Sequence, residues 1–281
     1  MSALGIIAGG GALPLAVAQI ARGSGRDVFV VGLRGAADPG IAEFPHAWVS
    51  LGEAGRMLRA LRDHRCVDVL LAGRLARPRF SEVRLDTKAV LLLPRVIAAA
   101  RKGDDALLRA VTAILEAEGF RSVGIAEAAP GLLMPGGVLG LAKPDAEAEN
   151  DIALGVKVVR RLGALDVGQS AVVCAGLVLA VEAAEGTDAM ILRVPQLEDS
   201  IRGNEAHPRG VLVKALKPVQ DGKTDLPVIG IQTVENARRA HLAGIAVEAG
   251  RALILDRPAV TAAADRAALF VVGFASSAYA D

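Results

Sequence analysis

Short apolar runs alternate with amphipathic stretches along the first 130 residues. The runs Leu4 to Ala8, Val28 to Val31 and Val67 to Ala72 are typical of buried strands. Between them, Leu13 to Arg22 and Arg56 to Arg65 repeat their apolar positions at helical spacing. This order of strand, helix and strand predicts a parallel sheet covered by helices on both faces.

The remainder of this half adds four predicted elements before the hydrophobic periodicity ends. The pattern predicts short strands at Ala47 to Val49 and Ser122 to Glu127, and helices at Ala89 to Ala100 and Asp104 to Glu118. Proline and glycine then break the periodicity from Ala129 to Gly137. We therefore predict an α/β protein, with a Rossmann-like parallel-sheet domain over residues 1–130, a linker over residues 131–138 and a distinct α/β domain over residues 139–281.

The second half opens with a predicted helix at Ala148 to Leu162. Strand-like runs follow at Ser170 to Ala175 and Leu177 to Val181, and Glu182 to Met190 is interpreted as a strand that runs into a glycine turn. The later elements are strands at residues 211–213, 227–230, 252–255 and 269–273, and helices at residues 233–243 and 258–268.

Composition excludes some classes of function. Hydrophobic residues make up 52% of the 281 residues, which is enough for a packed interior, and the formal charge is only +1. Aromatic residues make up 3%. Without a basic field or aromatic stacking platforms, we expect no nucleic acid partner.

The cysteines and the amino terminus bear on location. Cys66 and Cys174 stand far apart in apolar surroundings, in no metal-type spacing, which favours a reducing compartment. The first residues lack the pattern of a secretion signal. The longest uncharged apolar run, Ala171 to Val181, is shorter than the roughly 18 residues that span a bilayer. We expect a cytoplasmic protein that is able to contact the inner membrane peripherally.

A glycine turn, Gly9 to Gly11, follows the first predicted strand. Glycine lets phosphate oxygens reach backbone amides at the start of a helix. However, Pro14 stands where a dinucleotide fingerprint requires glycine, and no acidic residue closes the second strand. A redox dinucleotide site, another nucleotide or sugar-nucleotide site, and a purely structural turn all remain open.

Two other positions in this half are candidate ligand contacts. Gly73 and Arg74 follow a strand at the edge where open α/β sheets bind ligands, and Arg74 is either a phosphate ligand or a surface arginine. Asp104 and Asp105 open a predicted helix. An N-cap and a favourable charge at the helix dipole explain both aspartates without a ligand.

The stretch from Lys214 to Gly230 places both lysines and aspartates between two apolar runs. Lys214, Lys217 and Lys223 alternate with Asp221 and Asp225. Lysines can hold phosphate oxygens, and carboxylates can hold a divalent metal or an attacking water. A solvated surface turn is the alternative.

Three carboxylates lie close together in sequence at Glu182, Glu185 and Asp188. Mg²⁺ typically takes one or two carboxylates together with phosphate oxygens and water, so this cluster suffices if the ligand contributes. A solvated acidic turn competes with that interpretation. The four histidines have no ligand-type spacing, which argues against zinc hydrolysis and Ser/His/Asp catalysis.

Several motifs occur together and in order along nearly the whole chain. They are Ile6-Ile7-Ala8-Gly9-Gly10-Gly11-Ala12-Leu13-Pro14, Gly73-Arg74 with Arg77-Pro78, Gly103-Asp104-Asp105-Ala106-Leu107-Leu108, Glu185-Gly186-Thr187-Asp188-Ala189-Met190, and Lys217-Pro218-x-Gln220-Asp221-x-Lys223-x-Asp225-Leu226-Pro227. Together they resemble the UDP-2,3-diacylglucosamine hydrolases of the LpxI type, which act in lipid A biosynthesis. Lys223 departs from the pattern, which has arginine there; a point charge then replaces a planar fork.

The resemblance implies a Mg²⁺-dependent enzyme that cleaves the pyrophosphate of UDP-2,3-diacylglucosamine to UMP and 2,3-diacylglucosamine 1-phosphate. It also implies a ligand between the two domains and a homodimer. Our hypothesis for the roles places catalysis on Asp225 and Asp188, with Glu182 as a further metal ligand. The candidate substrate contacts are Gly10, Gly11, Ala12, Gly73, Arg74 and Asp104, together with Lys214, Lys217 and Thr187.

Two alternatives come from other classes. One is an NADPH-dependent oxidoreductase in which Arg34 meets the ribose phosphate. The other is a non-catalytic module that binds a sugar nucleotide.

Overall fold

The structure is a computed structural model that describes residues 3–75, 85–218 and 226–279, without the side chains of Asp104 and Asp105. The chain divides into two units, Met1–Gly131 and Leu132–Asp281. Each has its own sheet and helices, so the predicted α/β class, with a parallel-sheet amino-terminal domain and a distinct second domain, is confirmed.

The first unit is built on a parallel sheet. Among its described residues the strands are β1 (Ala3–Ala8), β2 (Val28–Leu33), β3 (His46–Val49), β4 (Cys66–Ala72) and β5 (Arg121–Ser122). Their order is β3-β2-β1-β4-β5, with every neighbouring pair parallel. The helices are α1 (Leu13–Gly23), α2 (Ala54–Asp63), α3 (Thr87–Ala100), α4 (Asp104–Ala117) and α5 (Ile125–Ala128), with 3-10 turns at Pro39–Glu43 and Pro130–Leu132.

The strand order of this sheet reverses between β1 and β4. Strand β1 continues to β2 on one side, whereas β4 leads to β5 on the other. Open α/β sheets bind ligands at such a switch point, beyond the carboxyl ends of the strands. The loops after β1 and β4, which include Gly9 and Gly73, therefore meet there.

One predicted strand of this unit is wrong in part. Residues 122–127 do not form a single strand, because β5 ends at Ser122 and α5 begins at Ile125. Val123 still donates its N–H to the carbonyl of Val69 at 3.0 Å, a normal distance for a backbone hydrogen bond. Gly124 then turns the chain so that Ile125 and Ala128 are buried on one side of a helical turn.

The second unit has a mixed sheet. Its strands in chain order are β6 (Gly137–Leu139), β7 (Ser170–Cys174), β8 (Leu177–Val181), β9 (Val211–Lys214), β10 (Val228–Ile229), β11 (Gly244–Glu248), β12 (Leu253–Ile254) and β13 (Phe270–Phe274). The main sheet has the order β6-β13-β11-β9-β7-β8, and β10 pairs with β12 separately. Strands β9, β11 and β13 are parallel, whereas β6, β7 and β8 are antiparallel to their neighbours.

Helices cover both faces of this sheet. They are α6 (Ala146–Ala164), α7 (Gly186–Ile191), α8 (Ile231–Arg239) and α9 (Arg257–Arg266), with 3-10 turns at Val194–Gln196 and Ser276–Tyr279. On one face α6 packs Ile152 and Val156 against strand residues such as Val213. On the other face α7, α8 and α9 form a core that includes Met190 and Val234.

Three features of the second unit differ from the sequence predictions. The stretch 131–138 was predicted as a linker, but Gly137–Leu139 is a strand paired with β13. Residues 182–190 were predicted as a strand that runs into a glycine turn, but residues 182–185 form a turn, and helix α7 begins at Gly186 and buries Met190 and Ile191. Strand β11 was not predicted at all, although all five of its residues are buried.

In the part of the chain that the structure describes, none of the helices is both long and apolar enough to cross a bilayer.

Candidate functional site

A buried lysine lies at the carboxyl end of β9. Lys214 is the last residue of this strand and is 5% exposed. Directly opposite it, in register, lies Ser170, the first residue of β7. Residues paired in this way point to the same face of a sheet, so both side chains project to one side of the sheet edge.

Thr187 connects this lysine to a carboxylate. Lys214 Nζ donates to Thr187 Oγ1 at 2.6 Å, and Thr187 Oγ1 donates to Glu182 Oε1 at 3.0 Å. The hydroxyl of Ser170 lies 3.3 Å from the same threonine oxygen. Because the threonine proton goes to Glu182, Ser170 is the donor in this contact. We call Ser170, Glu182, Thr187 and Lys214 the Lys214 cluster.

Glu182 is almost fully enclosed, with 8% exposure. Its Oε1 accepts from Thr187, and its Oε2 accepts from the backbone N–H of Gln169 at 3.4 Å. Burying a lysine and a carboxylate costs several kcal/mol unless each is paired and hydrogen-bonded. The Thr187 hydroxyl bridges the two charged groups, and the Gln169 N–H gives Glu182 a second hydrogen bond.

Asp188 follows Thr187 on α7 and faces a different helix. Its Oδ1 accepts from Asn236 Nδ2 on α8 at 2.9 Å, and Gln232 Nε2 donates to Asn236 Oδ1 at 3.0 Å. Asp188 is half-buried, and Asn236 is buried. The structure therefore brings Glu182, Thr187 and Lys214 together and fixes Asp188 beside them through α8.

The chain that leaves β9 is held at its first two residues. Ala215 donates its N–H to the carbonyl of Gln169 at 3.1 Å, and Leu216 donates its N–H to Glu248 Oε2 at 3.0 Å. Glu248, at the end of β11, is 2% exposed and also accepts from the hydroxyl of Ser276. These contacts fix the direction of the loop that starts after Lys214.

Sequence reasoning missed Ser170 and Glu248. Ser170 opens an apolar run, and its pairing with Lys214 depends on strand register. Glu248 closes the run Ile245-Ala246-Val247, and a lone acid at the end of such a run is a signal that would have found it.

Lys217 was predicted to hold phosphate. In the structure its Nζ donates to Asp166 Oδ1 at 2.8 Å, and the Asp166 side chain is 50% exposed. Its ammonium group thus lies in an ion pair near the surface rather than in the Lys214 cluster.

The described carboxylates do not by themselves form a metal site. Within residues 3–75, 85–218 and 226–279, no group of three or more His, Cys, Asp or Glu side chains converges as metal ligands do. Asp225, which was predicted to be catalytic, lies outside the described residues, as do Asp221 and Lys223. Glu182 and Asp188 are hard oxygen donors of the type that Mg²⁺ prefers.

The glycine turn of the first unit is explained by backbone packing. Gly10 donates its N–H to the carbonyl of Arg74 at 2.7 Å, and Arg74 donates its N–H to the carbonyl of Gly10 at 2.8 Å. A Cβ at Gly9 would lie 2.6 Å from the Arg74 oxygen, and one at Gly73 would lie 2.7 Å from the Gly10 oxygen. The structural interpretation therefore accounts for Gly9, Gly10 and Gly73.

The other candidates of this unit lie nearer the surface. Gly11, at a φ of +89°, and Ala12 are exposed, as are the side chains of Arg74 and Arg34. Asp104 is the first residue of α4, directly after Gly103, which is the N-cap. Sequence reasoning expected an N-cap at the aspartates, and the cap lies one residue earlier.

The two units together define a class of protein. A parallel sheet with a switch-point turn is followed by a mixed α/β unit that has a buried lysine and carboxylate at its strand ends. This is a two-domain α/β protein whose polar chemistry, in the described residues, lies at the strand ends of the second unit.

Comparison with known proteins assigns the family. Residues 3–132 match the LpxI N-terminal domain, and residues 135–272 match the LpxI C-terminal domain. The chain is similar to the UDP-2,3-diacylglucosamine pyrophosphatase LpxI of Caulobacter vibrioides, with 50% identity over 273 residues that cover 97% of this chain and 98% of that protein. The chain belongs to the LpxI family, so the resemblance found in its motifs is confirmed at the family level.

Proposed function

We propose that this chain hydrolyses the pyrophosphate bond of UDP-2,3-diacylglucosamine and releases UMP and 2,3-diacylglucosamine 1-phosphate, a step of lipid A biosynthesis. Its family and its identity to a curated pyrophosphatase support a hydrolase role. The observation that carries the proposal is the buried Lys214, held by Thr187 within this family framework. Neither the oxidoreductase nor the non-catalytic module is favoured by these matches.

The reaction needs positive charge next to the phosphate oxygens. Water attacks one phosphorus in line, and negative charge moves to the leaving phosphate. A cation that is fixed in a water-poor site stabilises this charge without reorganising. Lys214 has this property, because burial and Thr187 hold its ammonium group in place.

The remaining members of the cluster position that ammonium group. Glu182 accepts a hydrogen bond from the Thr187 hydroxyl, so the lone pairs of Thr187 Oγ1 are left to accept from Lys214 and Ser170. Both carboxylate oxygens of Glu182 accept hydrogen bonds from the protein. We therefore propose that Glu182 mainly orients Thr187 and Lys214, with metal ligation as a secondary role.

Asp188 and Asp225 are the residues that we propose to hold Mg²⁺. The Asn236 amide orients the Asp188 carboxylate, as hydrogen-bond partners of metal ligands commonly do. When bound, Mg²⁺ would polarise phosphate oxygens and neutralise charge. Asp225 is assigned from the family motif.

A UMP-release assay with UDP-2,3-diacylglucosamine, run with Mg²⁺ and with chelator, tests this function. We expect Asp225→Asn and Asp188→Asn each to lower turnover by about 100-fold or more, as loss of a group that stabilises the transition state does. Asp63→Asn, at an exposed position of α2, is the matched control. Full turnover and unchanged Mg²⁺ dependence in both variants would contradict the assignment.

A further inference from the structure

The outward face of α3 is apolar where a surface helix is normally polar. The exposed residues of this helix are Thr87, Val90, Leu91, Pro94, Arg95 and Ala98. Their spacing of three and four residues places them along one side of the helix. Leu91 is 73% exposed and Val90 is 54% exposed. Ordinary surface helices turn such side chains toward the core.

Positive charge follows the apolar patch along the same face. From Thr87 to Lys102 the sequence has four basic residues, Lys88, Arg95, Arg101 and Lys102, and no Asp or Glu. Lys88 pairs with Glu118, whereas the other three are exposed. The face is thus apolar over its first two turns and basic at its carboxyl end.

A groove continues the basic end toward α4. It is open, has a volume of about 460 Å³, and is lined by Arg95, Lys102 and Arg109 around Ala98, Ala106 and Ala110. Small side chains between cations leave room for a phosphate group. Over residues 95–109 the sequence has four basic residues against two acidic ones, Asp104 and Asp105, which is a formal charge of +2.

We propose that the outward face of α3 and this groove form a docking surface for an anionic phospholipid bilayer. Val90 and Leu91 enter the interface between headgroups and acyl chains, and Arg95, Arg101 and Lys102 contact lipid phosphates. An apolar patch alone would fit many partners. Its continuation into cations with no acidic residue from Thr87 to Lys102 selects an anionic surface.

Vesicle flotation of the full chain, without substrate, tests the surface. We expect the chain to float with vesicles that contain phosphatidylglycerol, and much less with phosphatidylcholine alone. Leu91→Asp should weaken vesicle binding by at least about tenfold, because the substitution replaces an apolar side chain that would insert between the lipids with a negative charge. Leu165→Asp is the matched control, since Leu165 is 75% exposed and lies at the end of α6.

A charge variant tests the second half of the surface. Arg95→Gln with Lys102→Gln should weaken binding by roughly 30-fold, about fivefold for each cation near an anionic surface. Arg59→Gln with Arg266→Gln removes the same charge from exposed positions elsewhere and should leave binding unchanged. Higher salt should weaken the wild-type chain more than the charge variant.

Other outcomes would overturn the proposal. The proposal is wrong if the wild-type chain does not float with phosphatidylglycerol vesicles. It is also wrong if the Leu91→Asp and charge variants bind these vesicles as strongly as their control variants do. If Leu91→Asp instead converts a dimer to a monomer in light scattering, the face joins two copies of the chain. If it lowers hydrolysis of a dispersed short-chain substrate as much as that of a vesicle-borne one, the face holds substrate acyl chains. Thermal unfolding checks that each variant folds. If Leu91→Asp does not fold, the Arg95→Gln, Lys102→Gln variant tests the proposal by itself.

Discussion

The two units use the same place in an α/β sheet differently. In the first unit, the loops after β1 and β4 pair backbone to backbone through Gly10 and Arg74. In the second unit, the end of β9 presents Lys214 to Thr187 and Glu182. Both lie at carboxyl ends of parallel strands, where α/β proteins bind ligands. Glycines at the strand ends of the first unit indicate a close approach of two backbone segments, whereas the buried lysine of the second unit indicates a functional site.

The energies of the two regions explain this difference. Close approach of two glycine-containing loops forms hydrogen bonds and leaves no charge buried. Lys214 and Glu182 instead lose their hydration, and an apolar pair of the same shape would stabilise the fold as well or better. Buried charged groups that are kept at such a cost are typical of functional sites.

The largest effect is expected from Lys214→Met. Removing a fixed cation that stabilises charge in the transition state should lower kcat by about 100-fold to 1000-fold. Lys157→Met, at an exposed position of α6, is the control and should retain activity. The test is the turnover of the two purified variants, measured as UMP release. Comparable activity in both variants would remove Lys214 from the mechanism and with it the contrast between the units.

The next effect is on stability in the first unit. Gly73 has a φ of +91°, and a Cβ there would meet the Gly10 oxygen at 2.7 Å and the Gly9 carbonyl carbon at 2.8 Å. We expect Gly73→Ala to lower the free energy of unfolding by about 3 kcal/mol, from backbone strain and the clash. Gly11→Ala shares the positive φ but meets nothing within 4 Å, and should cost about 1 kcal/mol.

Urea unfolding measures both glycine variants. Equal losses for Gly73→Ala and Gly11→Ala would mean that φ alone matters, and that the close approach of the two loops contributes little.

The sequence predicted most elements because their periodicity extends over enough residues. Helix α6 and strand β1 are examples, since each buries a regular set of apolar side chains. Helix α7 has six residues, fewer than two turns, so its period cannot be told from that of a strand. Strand β11 was not recognised because Gly244 and Glu248 at its ends leave an apolar run of only three residues between them.

The site was predictable as residue types but not as an arrangement. Lys214, Thr187 and Glu182 were each candidates. Their convergence depends on the register that places Ser170 opposite Lys214 and on the turn that brings α7 back over the sheet. The pairing of Lys217 with Asp166 has the same origin, because residues far apart in sequence meet only in the folded unit.

A smaller effect on catalysis is expected from Thr187→Val, which keeps the shape and removes the hydroxyl. Lys214 and Glu182 then lose their bridge, so we expect about tenfold lower kcat and a loss of about 1–3 kcal/mol in unfolding free energy. Thr187→Ser should restore most of both. If valine and serine behave alike, the hydroxyl does not position Lys214.

The smallest effect is a dependence of stability on acid in the first unit, where a buried aspartate, Asp68, pairs with the largely exposed Arg121 and has no proposed catalytic role. The Asp68 side chain is 5% exposed, and Arg121 Nε and Nη2 donate to its two oxygens at 2.6 and 2.8 Å. The hydrogen bonds from Arg121, followed by the charge of Arg26, hold the pKa of Asp68 below its ordinary value against the opposing effect of burial.

The sign of the dependence follows from this lowered pKa. The unfolded chain has an aspartate pKa of about 3.9, so the contribution of Asp68 is present above about pH 4 and is lost as the pH falls through the lower folded pKa. Asp68→Asn removes the contribution, so the difference in unfolding free energy from wild type should be full at pH 7 and should shrink below about pH 4. Exposed Asp63→Asn provides the control, with a small difference at every pH. A difference that stays constant from neutral to acid pH would show that Asp68 contributes by packing rather than by charge, and the described residues of the first unit would then offer no counterpart to the buried charged groups of the Lys214 cluster.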